Sequence, residues 1–104
     1  MRILLIEDEL EFNQLLVTFL IQQRYFVDTA LDFHEALLKI SDYTYDCILI
    51  DVTLPKGNGL EIVKQLKRDR SKAGIIIISA KNSFEDKITG LDLGADDYLT
   101  KPFN

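Results

Sequence analysis

Five apolar segments of strand length alternate with longer segments of helical periodicity along this chain of 104 residues. They lie at residues 3–6, 26–30, 47–50, 75–78 and 97–100. Strands that alternate with helices are typical of a parallel sheet whose strands are joined by crossover helices. The alternation therefore predicts an α/β domain.

The polarity of the five segments predicts their order in the sheet. Segments 3–6, 47–50 and 75–78 are apolar throughout, as expected of parallel strands that are covered on both faces. Segments 26–30 and 97–100 contain polar residues, which is typical of edge strands. With the second and fifth strands at the edges, the predicted fold is a flavodoxin-like, doubly wound parallel sheet of five strands in the order 2-1-3-4-5.

Three predicted helices begin with a capping residue that is followed three positions later by Glu, the pattern of a capping box. The pairs are Asp8 with Glu11, Asp32 with Glu35, and Asn58 with Glu61. A fourth helix is predicted over residues 83–93, and Gly94 is placed to end it in a left-handed conformation. The pattern lacks a fifth helix, because the chain stops at Asn104. We therefore expect one domain, residues 1–104, that is truncated at its C-terminal end.

Composition argues against several classes of protein. With 104 residues and 47% hydrophobic content, the chain can form one core but not two domains. Its net charge of −5 argues against binding of nucleic acid, since such surfaces need clustered cations. The apolar runs are too short to span a membrane and no signal peptide precedes the first strand, so we expect a cytoplasmic protein without a membrane partner. The single Cys47 lies in an apolar strand and is expected to be buried and structural.

Three carboxylates stand at the ends of two strands that are neighbours in the predicted sheet. Glu7 and Asp8 follow the first strand, and Asp51 follows the third. Neighbouring strands lie about 5 Å apart, and two like charges at that distance repel by ~3 kcal/mol at an effective dielectric constant near 20. A divalent cation such as Mg²⁺ would offset this repulsion, because it prefers carboxylate and carbonyl oxygen ligands.

Two further polar residues, Ser79 and Lys101, follow the fourth and fifth strands and reach the same edge of the sheet. Each residue alone has a simpler interpretation: Asp8 as a helix cap, Asp51 as a turn former, Lys101 as a solvated surface charge. Their coincidence at four strand ends favours a functional site instead. A nucleophile, metal-binding acids, a hydroxyl donor and a cation together predict a site for a phosphoryl group.

The motifs at these strand ends resemble those of the receiver domain of two-component response regulators, of the OmpR/PhoB type. They are Ile-Leu-Leu-Ile-Glu-Asp-Glu at residues 3–9, Asp-Val-Thr-Leu-Pro at residues 51–55 with Gly59, Ser-Ala at residues 79–80, and Gly-Ala-Asp-Asp-Tyr-Leu-Thr-Lys-Pro-Phe at residues 94–103. The resemblance covers the whole chain. It implies a phosphorylation-dependent signalling switch that catalyses only its own phosphorylation and dephosphorylation.

The resemblance also implies a role for each site residue. Asp51 would accept a phosphoryl group from a phosphohistidine of a sensor histidine kinase. The implied Mg²⁺ ligands are Glu7, Asp8, Asp51 and the backbone carbonyl of Thr53. Ser79 and Lys101 would each bind a phosphoryl oxygen. When Ser79 moves toward that group, Tyr98 could rotate inward as the switch aromatic.

Partners are implied in the same way. Lys87, Asp96 and Asp97 match the face through which regulators of this type pair with themselves, so a homodimer is one expectation. A winged-helix DNA-binding output domain normally follows the receiver. A cis peptide bond between Lys101 and Pro102 is also implied, since it would direct the Lys101 side chain at the site.

Three other functions remain open from the sequence. A Mg²⁺-dependent phosphatase of the haloacid dehalogenase type also uses an Asp nucleophile, but Thr53 stands where its general acid would be. A flavodoxin-like cofactor binder is disfavoured, because Glu7 and Asp8 would repel a phosphate. A receiver-like interaction module would never take up phosphate.

The predicted lack of a fifth helix has one structural consequence. Parallel sheets are seldom left bare on one side. We expect apolar side chains of the first and third strands to be partly exposed on the side of the first helix, with self-association or low stability as the result.

Overall fold

A computed structural model describes residues 1–80 and 84–101. The elements in chain order are β1 (Arg2–Ile6), α1 (Leu10–Gln22), β2 (Phe26–Ala30), α2 (Phe33–Asp42), β3 (Cys47–Asp51), β4 (Thr53–Leu54), β5 (Gly57–Asn58), α3 (Gly59–Arg68), β6 (Gly74–Ser79), α4 (Phe84–Asp92) and β7 (Asp97–Thr100). In the part of the chain so described, no helix is long and apolar enough to cross a membrane. The predicted cis bond before Pro102 lies outside the described residues.

The main sheet has five parallel strands in the order β2-β1-β3-β6-β7. This confirms the predicted order, with β6 and β7 as the fourth and fifth predicted strands. The sequence did not predict a second, two-stranded antiparallel sheet formed by β4 and β5. Its strands of two residues are too short to show periodicity, and its turn contains Lys56 at a φ of 67°.

Two of the three predicted helix caps are confirmed. The carboxylate of Asp32 accepts a hydrogen bond from the backbone N–H of Glu35 at 2.8 Å. The side-chain oxygen of Asn58 accepts one from the N–H of Leu60 at 2.8 Å. The predicted start of α1 at Asp8 is wrong.

The first helix begins one residue later than predicted. Its N-cap is Glu9, whose side chain makes no capping hydrogen bond. Instead, the N–H of Glu9 donates to Glu7 Oε2 at 3.0 Å. The Glu7 carboxylate therefore accepts a hydrogen bond from the backbone of the N-cap residue, and the Glu9 side chain does not cap the helix. The fourth predicted helix corresponds to α4, which is described from Phe84 to Asp92. Gly94 follows it with a φ of 118°, the positive φ that was predicted for this glycine.

The core lies between the sheet and the helices α2 and α3. Its buried side chains from β1, β3 and β6 alternate along each strand, since successive residues point to opposite faces. These are Leu4, Ile6, Ile48, Ile50, Ile75 and Ile77, packed with Ala36, Ile62, Val63, Leu66 and Tyr98.

The opposite face of the sheet is only partly covered. Ile3 and Leu5 of β1 are buried, so the prediction of exposure is wrong for this strand, because β1 lies between β2 and β3 and α1 packs against β2 beside it. Cys47 and Leu49 of β3 are half-buried, which agrees with the prediction for that strand. Cys47 is therefore less buried than expected.

Candidate functional site

Asp51 is the last residue of β3 and lies beside the two acids that follow β1. One carboxylate oxygen from each of Glu7, Asp8 and Asp51 can be chosen so that all three lie within 4.8 Å of one another. Glu7 and Asp51 are buried, and Asp8 is more exposed than either. The parallel register that pairs Ile6 with Ile50 brings these acids together. The predicted cluster of carboxylates is thus present.

The carboxylate of Asp51 is held from two sides. Its Oδ1 accepts a hydrogen bond from the backbone N–H of Thr53 at 3.2 Å. Its Oδ2 lies 3.1 Å from Lys101 Nζ, and the Asp51 side chain is 8% exposed. Orientation by a backbone donor and by a cation leaves this carboxylate fixed at the edge of the sheet.

Lys101 is the cation that three carboxylates share. Its ammonium contacts Glu7 Oε1 and lies 3.1 Å from both Asp51 Oδ2 and Glu9 Oε2. Burial by itself lowers the pKa of Lys101, but hydrogen bonds to Glu7, Asp51 and Glu9 outweigh it and raise the pKa above the ordinary lysine value. Lys101 is therefore charged at every physiological pH.

Glu7 is the most buried member of the cluster, with no exposed surface. Burial raises the pKa of Glu7 to about 7, although the hydrogen bonds from Lys101 and from the N–H of Glu9 oppose the shift. The neighbouring charge of Asp51 adds to the increase. Four carboxylates, counting Asp8, thus face one ammonium group, and a divalent cation fits this excess of negative charge and this set of oxygen donors.

An open cavity of about 310 Å³ brings most of the predicted site residues together. Asp8, Asp51, Thr53, Ser79 and Lys101 all line it, with Glu9 and Ala80. Ser79 is almost fully buried, and its backbone carbonyl accepts the N–H of Lys101 at 2.7 Å. The ends of β3, β6 and β7 therefore converge as the sequence predicted.

Tyr98 already lies inside the protein. The residue is 9% exposed and packs in the core with Ile77. A Cβ atom built on Gly90 of α4 would stand 3.0 Å from Tyr98 Cδ2, so the ring rests against the bare backbone of this helix. The ring is therefore buried between α4 and the sheet.

The three residues predicted for a dimer face lie away from this cavity. Asp96 and Asp97 are exposed at the start of β7, at the opposite end of the strand from Lys101. Asp96 Oδ2 accepts the N–H of Ile75 at 2.7 Å, and Asp97 Oδ1 accepts the N–H of Tyr98 at 2.8 Å. Lys87 is half-buried on α4.

Sequence reasoning missed Glu9 as a member of the site. Its ion pair with Lys101 joins residues 92 positions apart. The only signal was its position directly after Glu7 and Asp8, which did not indicate the direction of its side chain. The ring of Phe12 on α1 also lies 4.8 Å from Lys101 Nζ.

Comparison with known proteins identifies the family. Residues 3–104 match the family model described as the response regulator receiver domain. This chain belongs to that family. It is 42% identical over 103 residues to the transcriptional regulatory protein DltR of Streptococcus agalactiae serotype III (strain NEM316). The match covers 99% of this chain and 46% of DltR, so the receiver chain spans about half the length of that relative. The homologues of this chain are response regulators of the OmpR/PhoB type.

Solved receiver structures share the fold. The receiver domain of the Francisella response regulator 1452 matches with a TM-score of 0.94 at 37% identity, over 99% of this chain and 85% of that one. A response regulator from Burkholderia pseudomallei was solved with a phosphorylated aspartic acid, a calcium ion and citrate. It matches with a TM-score of 0.91 at 29% identity, over 99% of this chain and 61% of that one. The flavodoxin-like receiver fold is confirmed.

Proposed function

We propose that this receiver domain is a phosphorylation-dependent switch that accepts a phosphoryl group on Asp51 from a phosphohistidine of a sensor histidine kinase. The observation that carries the proposal is the carboxylate of Asp51, which is oriented by Thr53 and lies 3.1 Å from the Lys101 ammonium at an open cavity. The phosphorylated aspartic acid and calcium ion of the Burkholderia pseudomallei regulator support it.

The chemistry is an in-line transfer between two nucleophiles. An Asp51 oxygen forms a bond to phosphorus while the phosphorus–nitrogen bond of the phosphohistidine breaks. The electron pair of that bond goes to the leaving imidazole nitrogen, which takes a proton from solvent. Lys101 neutralises charge on the phosphoryl oxygens, and the hydroxyl of Ser79 donates a hydrogen bond to one of them. Attack of water on the phosphoryl group later regenerates Asp51 and releases phosphate.

The metal proposed for this site is Mg²⁺. Glu7, Asp8, Asp51 and the backbone carbonyl of Thr53 would hold it. The side-chain oxygens of the three acids lie close enough together to share one ion. When bound, the cation supplies positive charge that offsets the negative charge of the acids and of the transferred group.

Because DltR is a transcriptional regulatory protein about twice as long as the matched segment, we infer that this receiver controls a DNA-binding output domain in the cytoplasm. The receiver chain itself does not bind nucleic acid. Phosphorylation shifts a population between two conformations in which Ser79 and Tyr98 differ, and a homodimer through Lys87, Asp96 and Asp97 is one outcome of that shift.

Intact mass after treatment with acetyl phosphate and Mg²⁺ tests the function. The wild-type chain should gain the mass of one phosphoryl group, and Asp51→Asn should gain none. Asp42→Asn, at the exposed end of α2, serves as a matched control and should label like the wild type. Labelling of Asp51→Asn at the wild-type rate and on no neighbouring side chain would disprove the role of Asp51.

Two other results would favour the alternative functions. A wild-type chain that never gains phosphoryl mass would support a receiver-like interaction module. Steady turnover of a phosphate ester without accumulation of the labelled chain would support a phosphatase.

A further inference from the structure

Glu9 is the one partner of Lys101 that faces solvent among the three carboxylates in contact with it. The Glu9 side chain is 65% exposed, against 8% for Asp51 and none for Glu7. Its Oε2 nevertheless lies as close to Lys101 Nζ as Asp51 Oδ2 does, 3.1 Å in both cases. Lys101 therefore pairs both with the nucleophile Asp51 and with Glu9, whose side chain is open to solvent.

The backbone of Glu9 is fixed where it stands. Its carbonyl accepts the first hydrogen bond of α1, from the N–H of Asn13 at 2.8 Å. Its own N–H donates to Glu7 Oε2 at 3.0 Å. Residues at this N-cap position usually stabilise the helix through a side-chain oxygen, yet the Glu9 side chain makes no such bond and pairs with Lys101 instead.

We propose that Glu9 is a positioning residue that competes with the incoming phosphoryl group for Lys101 and so slows phosphorylation of Asp51. During phosphorylation the Lys101 ammonium has to bind the phosphoryl oxygens. The ion pair between Lys101 and Glu9 has to break before it can do so. The carboxylate of Glu9 also lines the cavity that an anionic donor enters. This inference rests on the proposed function of Asp51.

The test is the rate of labelling by acetyl phosphate in the presence of Mg²⁺. Replacement of Glu9 by Gln should raise the rate about two- to fivefold, the factor that corresponds to one exposed ion pair. Glu11→Gln is the matched control, because Glu11 is exposed in the first turn of α1 and carries the same charge. It should change the rate less, and high salt should abolish its effect, since charges that are not in contact are screened.

A second variant separates the ion pair from helix capping. Glu9→Ser also removes the charge, but it provides a hydroxyl that can cap α1. It should therefore accelerate labelling as Glu9→Gln does while raising the urea midpoint of unfolding. The proposal is wrong if the labelling rates of the two variants follow their urea midpoints. It is also wrong if either variant labels at the rate of Glu11→Gln, or more slowly than the wild type. A wild-type chain that is not labelled at all overturns the proposed function, and the role of Glu9 with it.

Discussion

At the scale of single residues, the site holds several carboxylates around one ammonium group, that of Lys101. Glu7, Asp8 and Asp51 offer oxygens within 4.8 Å of one another, and Lys101 contacts two of these three acids. Lys101 supplies positive charge to this cluster, and a bound Mg²⁺ would add to it. We therefore expect that substitution of one acid changes the affinity for Mg²⁺ and the rate of phosphorylation by different amounts.

Asp8 is the residue whose loss should weaken Mg²⁺ binding most directly. It is more exposed than the other two acids and is free of the contacts with Lys101 that occupy them. We expect Asp8→Ala to lose most of the affinity for Mg²⁺, which titration calorimetry measures. Asp92→Ala, at the exposed end of α4, is the control and should bind as the wild type does. Unchanged affinity of Asp8→Ala would mean that the metal binds elsewhere.

Asp28 should make stability depend on pH. The hydroxyl of Tyr45 donates to Asp28 Oδ2 at 2.7 Å, and Arg2 Nη2 lies 3.1 Å from the same oxygen. The hydrogen bond from Tyr45, with a smaller effect of Arg2, lowers the pKa of Asp28 below its ordinary value. A carboxyl whose pKa is lowered by folding contributes stability above its unfolded pKa and loses it as pH falls through its folded pKa.

Urea unfolding of Asp28→Asn at several pH values measures this contribution. At pH 7 the variant should be less stable than the wild type by about 1 kcal/mol, from weakened hydrogen bonds to a charged group. The difference should shrink below about pH 4, where an unperturbed Asp takes up its proton. A difference that stays constant down to pH 3 would contradict the assignment, and Asp42→Asn should show neither effect.

At the scale of elements, the packing of α4 against β7 depends on a residue without a side chain. A Cβ atom on Gly90 would lie 2.8 Å from Ile77 Cδ1 and 3.0 Å from Tyr98 Cδ2. These distances are too short for carbon atoms in contact. The absence of a side chain at Gly90 is therefore what allows the Tyr98 ring to pack against α4.

Gly90→Ala should destabilise the protein although Ala is the better helix former. Helix propensity alone favours Ala over Gly by about 1 kcal/mol, whereas overpacking of a core costs about 1 to 3 kcal/mol. We expect a net loss of stability in urea unfolding and greater solvent accessibility of Tyr98. Thr89→Ala, at the exposed neighbouring position, should be neutral or slightly stabilising. A stabilised Gly90→Ala protein would show that the Tyr98 ring leaves its place at little cost.

At the scale of the whole molecule, one face of the sheet is less covered than the other. Cys47 and Leu49 are half-buried there. Leu15 and Phe19 on α1 are 67% and 56% exposed, and Leu15 lines an open cavity of about 480 Å³ beside Lys101. Apolar surface that is gathered in one place favours association.

We expect this chain to self-associate at high concentration through that face. Leu15→Glu and Phe19→Glu should each shift the sedimentation profile toward the monomer without lowering the urea midpoint, because both side chains are exposed. Leu38→Glu removes an equally exposed leucine from α2 and should leave the profile unchanged. A wild-type chain that stays monomeric at every concentration would contradict this prediction.

Local patterns in the sequence determined much of this protein. The strand order followed from which segments are apolar throughout, since only central parallel strands are covered on both faces. The position of Asp51, Ser79 and Lys101 at one edge followed from their places after strands, because parallel strands end on the same side. The caps Asp32 and Asn58 could be predicted because a cap bonds within three residues.

The tertiary structure decided what depends on contacts between distant residues. The ion pair of Glu9 with Lys101 and the burial of Tyr98, Ile3 and Leu5 all depend on how helices lie on the sheet. The direction of a side chain at a helix start is set by the charges that it meets, and these come from another strand. For that reason the sequence assigned no role to Glu9, which is a partner of Lys101 in the fold.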